Sequence, residues 1–148
     1  MEVMCSTSSS VEHPPQSMLD GDPRTFFATT GCFPHEVIIR LSGKTSMGRL
    51  KIVSTGSKCR CKQAWAPCIS YFVPACFPPV KRFAVDRSDG ASASNWQQFV
   101  ETDVGDPDAL QSTSLATPPT PATHLRLRIL AGYKEFITIR SFEAQLAS

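Results

Sequence analysis

From Glu36 to Leu41 apolar and polar positions alternate, with Val37, Ile39 and Leu41 on one face and Ile38 and Arg40 on the other. Leu125 to Leu130 alternates more cleanly: Leu125, Leu127 and Ile129 share a face while Arg126 and Arg128 point away. A period of two is the mark of a half-buried antiparallel strand, so these six apolar residues are the predicted core. Leu50–Val53, Phe83–Val85, Trp96–Val100 and Phe136–Phe142 carry shorter patterns of the same kind, and Trp96 is expected in the core as well. Turn residues separate the segments: Ser42-Gly43, Ser88-Asp89-Gly90, Gly105-Asp106-Pro107 and Gly132.

No stretch keeps a helical period. One short helical turn is expected near Pro14 to Leu19, since proline is tolerated at a first helical position. Thr113 to Thr123 carries Pro118, Pro119 and Pro121 and reads as an extended loop. No internal repeat is visible. Many short strands with frequent turns predict one all-β, antiparallel sandwich or jelly roll of about eight strands.

Gly56 to Pro79 breaks the pattern. It holds Cys59, Cys61, Cys68 and Cys76 together with Trp65, Tyr71, Phe72 and several prolines, without alternation or helical period. It reads as a mobile insertion between two strands, either a lineage-specific loop or translated intron sequence. The domain therefore runs over residues 1–148, with the insertion at 56–79.

At 148 residues the chain is long enough for one domain with a sizeable core. A hydrophobic share of 41% argues against general disorder. A net charge of +2 is too small to point to nucleic acid or an anionic membrane. No run of about eighteen apolar residues exists, so no membrane insertion is expected. Met1 to Ser10 lacks the apolar stretch of a secretory signal, which points to a reducing compartment and to cysteines held as thiols.

Chemistry is sparse. Four clustered cysteines without a nearby histidine read as loop thiols in preference to a zinc site. His13, His35 and His124 are dispersed, no serine sits in a nucleophile elbow, and no glycine-rich phosphate loop is present, so no enzymatic activity is expected. Asp103, Asp106 and Asp108 read as solvated loop charge. Ser17 to Thr25 is the exception. Asp20 and Asp22 flank Gly21, and the Thr25 hydroxyl follows. Such a loop suits an all-oxygen shell for a hard cation such as calcium. It equally suits an ordinary Asp-Gly turn whose carboxylates bond the loop backbone. Phe26, Phe27 and Phe33 beside it suit core packing, or the lining of a ligand site.

Glu12-His13-Pro14-Pro15, Leu19-Asp20-Gly21-Asp22-Pro23, Thr25-Phe26-Phe27, Thr29-Thr30-Gly31, Phe33-Pro34 and Glu36 together resemble the intraflagellar transport protein 25 family, also called heat shock protein beta-11-like. The resemblance runs from Val11 to Thr55 and, more loosely, from Val80 to Leu146. It implies a galactose-binding-like, discoidin-like jelly roll. It implies a subunit of intraflagellar transport complex B in cytoplasm and cilium or flagellum, paired with a Rab-like small GTPase, intraflagellar transport protein 27, beside other complex B subunits. It implies a structural calcium ion on Asp20, Asp22 and Thr25, with the Ser17 carbonyl and a late-strand residue at Ser141 completing the shell. Discoidin domains often place glutamate where this chain has Ser141, and the family commonly has Trp where this chain has Phe27.

The alternative function is a carbohydrate-binding module of the same fold, with Phe26, Phe27 and Arg24 as its loop-tip set. A chaperone role is suggested by the heat-shock name alone, and the oligomerising tails of those chaperones are not visible in this chain.

Overall fold

A computed structural model describes residues 1–29, 32–54, 79–105, 111–134 and 136–147. Its strands are β1 (Glu2–Ser6), β2 (Phe27–Ala28), β3 (His35–Ser54), β4 (Val80–Ser88), β5 (Gln97–Asp103), β6 (Gln111–Gly132) and β7 (Thr138–Leu146), with a short 3₁₀ turn at Pro15–Met18. The described residues thus form seven strands where about eight were expected. No helix among them is long and apolar enough to cross a membrane.

All pairings are antiparallel, in the order β2-β7-β3-β6-β4-β5, with β1 on the free side of the first half of β3. The architecture follows from β3 and β6, of 20 and 22 residues, which pair with each other along nearly their whole length. Their upper halves sit in a layer with β1, β4 and β5, and their lower halves in a layer with β7 and β2. Long strands that bend from one layer into the other make the corners of the sandwich.

The bends are visible in the sequence phase. Along β3 the buried positions are His35, Val37, Ile39, Leu41 and Met47, then Leu50, Ile52 and Ser54, so the inward set switches from odd to even numbers. A one-residue slip exchanges the two faces of a strand, and an irregular pairing absorbs it here between Met47 and Arg49. Gly48 stands at that point, where a Cβ would lie 3.0 Å from the Ala147 Cα. A second irregularity between Arg40 and Thr45 contains Ser42-Gly43. The expected turn there is therefore a bulge within a continuous strand.

One further expectation is corrected, and one strand was not expected. Thr113–Thr123 is part of β6, not a loop. Met47 faces Thr120 and Arg49 faces Ala116, so Thr117, Pro118 and Pro119 oppose the single residue Gly48. Proline lacks an N–H for the ladder and is accommodated at such a bulge. The polar start of the chain is strand β1, which pairs Glu2 with Arg40 and Ser6 with Val37.

All six predicted core residues are buried. Val37, Ile39, Leu125, Leu127, Ile129, Phe83 and Val85 meet Leu50, Ile52, Ile139, Phe142 and Phe27 from the other layer in one cluster. Phe142 of β7 belongs to this core as well, whereas Leu146 near the end of the same strand is exposed. Trp96 is only half-buried and lies outside the core cluster.

Candidate metal centre

The Ser17–Thr25 loop is fastened at both ends by burial. Met18 closes the 3₁₀ turn inside the core, and Phe27 enters the core as β2 pairs with Ile139 of β7. The Phe26 ring stacks on His13 with centroids 3.9 Å apart. The Ala28 N–H donates to the His13 carbonyl at 3.1 Å, and the Ile137 N–H to the Thr29 hydroxyl at 3.0 Å. Gly21, with φ of 75°, lets the chain reverse between the two aspartates.

Within the loop, oxygen atoms converge on the Thr25 hydroxyl. Its Oγ1 lies 2.9 Å and 2.7 Å from the two carboxylate oxygens of Asp20, 3.1 Å from the Asp22 carbonyl and 3.3 Å from the Ser17 carbonyl. A hydroxyl has one proton to donate, so one such neighbour is satisfied while the others meet it lone pair to lone pair. A carboxylate, two carbonyls and a hydroxyl gathered within one loop are the all-oxygen donor set of a hard-cation site, and the residues fit calcium on that ground. Asp20 also accepts from the Asp22 N–H at 2.8 Å, the contact of an ordinary Asx turn. That contact is the one expected of the Asp-Gly turn.

Asp22 contributes differently from Asp20. Its Oδ1 accepts from the Arg24 N–H at 2.9 Å and from Arg24 Nε at 3.0 Å, while Oδ2 receives Arg24 Nη2 at 2.8 Å. These hydrogen bonds, the side-chain one foremost, lower the Asp22 pKa to about 2. Only the carbonyl of Asp22 turns to the hub. Ser141 is half-buried on β7 opposite Val53, and β7 reaches the loop through the neighbouring residue, as Arg140 Nη1 donates to the Pro23 carbonyl at 3.2 Å.

The remaining candidates stay apart. His13 stacks on Phe26, His35 tilts against Phe33, and His124 Nδ1 meets the Thr123 hydroxyl at 2.9 Å. No group of three or more His, Cys, Asp or Glu among the described residues is placed to hold a metal. The cysteines of 56–79, with the expected mobility of that segment, and Asp106 and Asp108 lie outside the described residues. Cys5 and Cys32 are exposed thiols.

One cluster escaped sequence reasoning. Asp86 of β4 receives Arg126 Nε and Nη2 at 2.9 Å and 2.6 Å, and Arg128 Nη2 at 3.0 Å. The Arg126 guanidinium lies 4.9 Å from the centroid of the Trp96 ring. The only sequence signal was an aspartate directly after the apolar run Phe83–Val85, with outward arginines on another strand.

No family model matches the chain. It is 29% identical over 145 residues to the human intraflagellar transport protein 25 homolog, covering 97% of this chain and 85% of that protein. The mouse homolog is 28% identical over the same share of each chain. Intraflagellar transport protein 25 of Chlamydomonas reinhardtii is 23% identical over 137 residues, covering 93% of this chain and 60% of that protein. Among solved structures, a Clostridium perfringens carbohydrate-binding module in complex with GalNAc-β-1,3-galactose aligns with a TM-score of 0.73 at 16% identity, covering 95% of this chain and 91% of that one. A second C. perfringens module, from a glycoside hydrolase, aligns at 0.75 with 13% identity, covering 99% and 90%. These structures establish the galactose-binding-like fold and nothing beyond it. By sequence the chain is a relative of the intraflagellar transport protein 25 proteins of human, mouse and Chlamydomonas, carried on a galactose-binding-like β-sandwich.

Proposed function

We propose that the chain is a non-enzymatic subunit of intraflagellar transport complex B, present in cytoplasm and cilium, working as a heterodimer with a Rab-like small GTPase, intraflagellar transport protein 27. The end-to-end sequence likeness carries this reading. It spans 97% of the chain and includes the loop as well as the core strands. In that role the sandwich supplies surface and the GTPase supplies nucleotide chemistry.

Calcium is the structural ion of this reading. The Asp20 carboxylate, the Thr25 hydroxyl and the carbonyls of Ser17 and Asp22 would hold it, with Ser141 the late-strand position. When bound, the ion would supply the positive charge that these oxygen donors lack. The loop residues around it fix the path of the chain from the 3₁₀ turn into β2.

The carbohydrate-binding alternative rests on the fold. A cleft of about 700 Å³ lies at the end of the sandwich formed by Met1, Met4, Arg40, Leu41, Ala93 and His124. Among the described residues, no Phe, Tyr or Trp on which a sugar ring would stack lines it. The deciding experiment is sedimentation of the tagged chain from ciliated cells, paired with a glycan array. Co-migration with complex B subunits is expected. A free monomer that binds glycans would replace this reading with the alternative.

A further inference from the structure

We propose that Arg24 is a positioning residue that withholds the Asp22 carboxylate from the calcium shell, so that the ion meets one carboxylate where the loop carries two. This rests on the calcium reading above and goes beyond it, because both aspartates were expected as side-chain ligands.

The division of Asp22 is plain in the geometry. Its carbonyl oxygen is 3.1 Å from the Thr25 hydroxyl at the hub, while its carboxylate is engaged by Arg24 through Nε at 3.0 Å and Nη2 at 2.8 Å. A planar guanidinium matches a carboxylate edge to edge, so both acceptor oxygens are taken at once. Asp20 is bound differently: its two oxygens face the hub hydroxyl and the loop's own N–H. A second guanidinium, Arg140, holds the Pro23 carbonyl at 3.2 Å and so pins the same turn to β7. The charges of Asp22 and Arg24 cancel, leaving Asp20 as the one unpaired carboxylate at the hub. Affinity of calcium sites falls as the number of charged ligands falls.

The test is calorimetric titration of the full chain with calcium chloride, comparing wild type, Arg24→Gln, Asp22→Asn and the double variant. The Arg24 side chain is 87% exposed, so its replacement leaves the fold intact. Arg24→Gln should tighten calcium binding roughly fivefold, the equivalent of one well-formed exposed ion pair. The gain should largely vanish in the Asp22→Asn background, where no carboxylate remains to be released. Equal gains in both backgrounds would show a bare through-space charge effect and overturn the positioning role while leaving calcium in place. Weaker binding by Arg24→Gln would overturn it as well. If neither wild type nor Arg24→Gln binds calcium at millimolar concentration, the calcium reading itself fails and the proposal with it.

Discussion

Arg126 Nη2 lies 2.6 Å from Asp86 Oδ2, and the Asp86 side chain keeps only 2% of its exposure although it sits on the outer face of β4. Two arginine side chains, each about a quarter exposed, roof it over. Removing the carboxylate would leave two guanidiniums facing each other without a counter-charge. Asp86→Ala should therefore cost about 2–3 kcal/mol, below the value for a wholly buried pair because the arginines still reach water. Urea unfolding checks this, and an unchanged midpoint would show the cluster to be energetically idle.

Leu127 sits fully buried on β6, paired with Val37 of β3 and Val85 of β4. Leu127→Ala should cost about 2–5 kcal/mol through lost contacts and a cavity. Leu127→Asp should prevent folding, since it buries an unpaired charge. Far-UV circular dichroism reads both outcomes.

Ser54 and Val80 bracket residues 55–79, and the Val80 N–H donates to the Ser54 hydroxyl at 3.0 Å. The two ends of the insertion are therefore already joined. Replacing Gly56 to Pro79 by a short Gly-Ser linker should preserve the fold, because loop length changes closure entropy only slightly. Insoluble expression of the shortened chain would refute this.

Calcium should raise the melting temperature of the chain by binding the folded state alone. Thr25→Val removes the hub oxygen and should abolish that rise. A calcium-dependent rise that survives in Thr25→Val would place the ion elsewhere.

Asp22 titrates at about 2 against an ordinary value of 3.8, held down chiefly by its hydrogen bond from Arg24. A carboxylate with a lowered folded pKa stabilises the fold above its ordinary value and loses that contribution as pH falls through the folded value. Melting between pH 5 and pH 7 should therefore be indifferent to this pair. In Arg24→Gln the Asp22 resonance should titrate closer to the ordinary range of about 4. A carboxylate that titrates the same in both proteins would show that the ion pair does not hold in solution.

Strand phase was the legible part of the sequence. Val37, Ile39, Leu41, Leu125, Leu127 and Ile129 alternate because one side of each strand meets the core, and all six are buried. The strand bends were not legible. Ser42-Gly43 and Pro118-Pro119 carry loop chemistry, yet both lie within long strands, because a bulge uses the same residue types as a turn. β1 was hidden because its outer positions are polar or exposed, which removes the alternation. Asp20, Asp22 and Thr25 were visible as a loop rich in oxygen. That Asp22 offers its carbonyl and spends its carboxylate on Arg24 was not, since side-chain direction within a turn leaves no periodic trace. Asp86 was missed because its partners, Arg126 and Arg128, lie 40 and 42 positions away in the chain.

The proposed function makes this sandwich one half of a heterodimer. Co-expression with the Rab-like GTPase, followed by size-exclusion chromatography, tests it most directly. One peak holding both chains in equal amounts at micromolar concentration is expected, as for a lasting interface burying about 1,600 Å² or more. Separate elution of the two chains would contradict it.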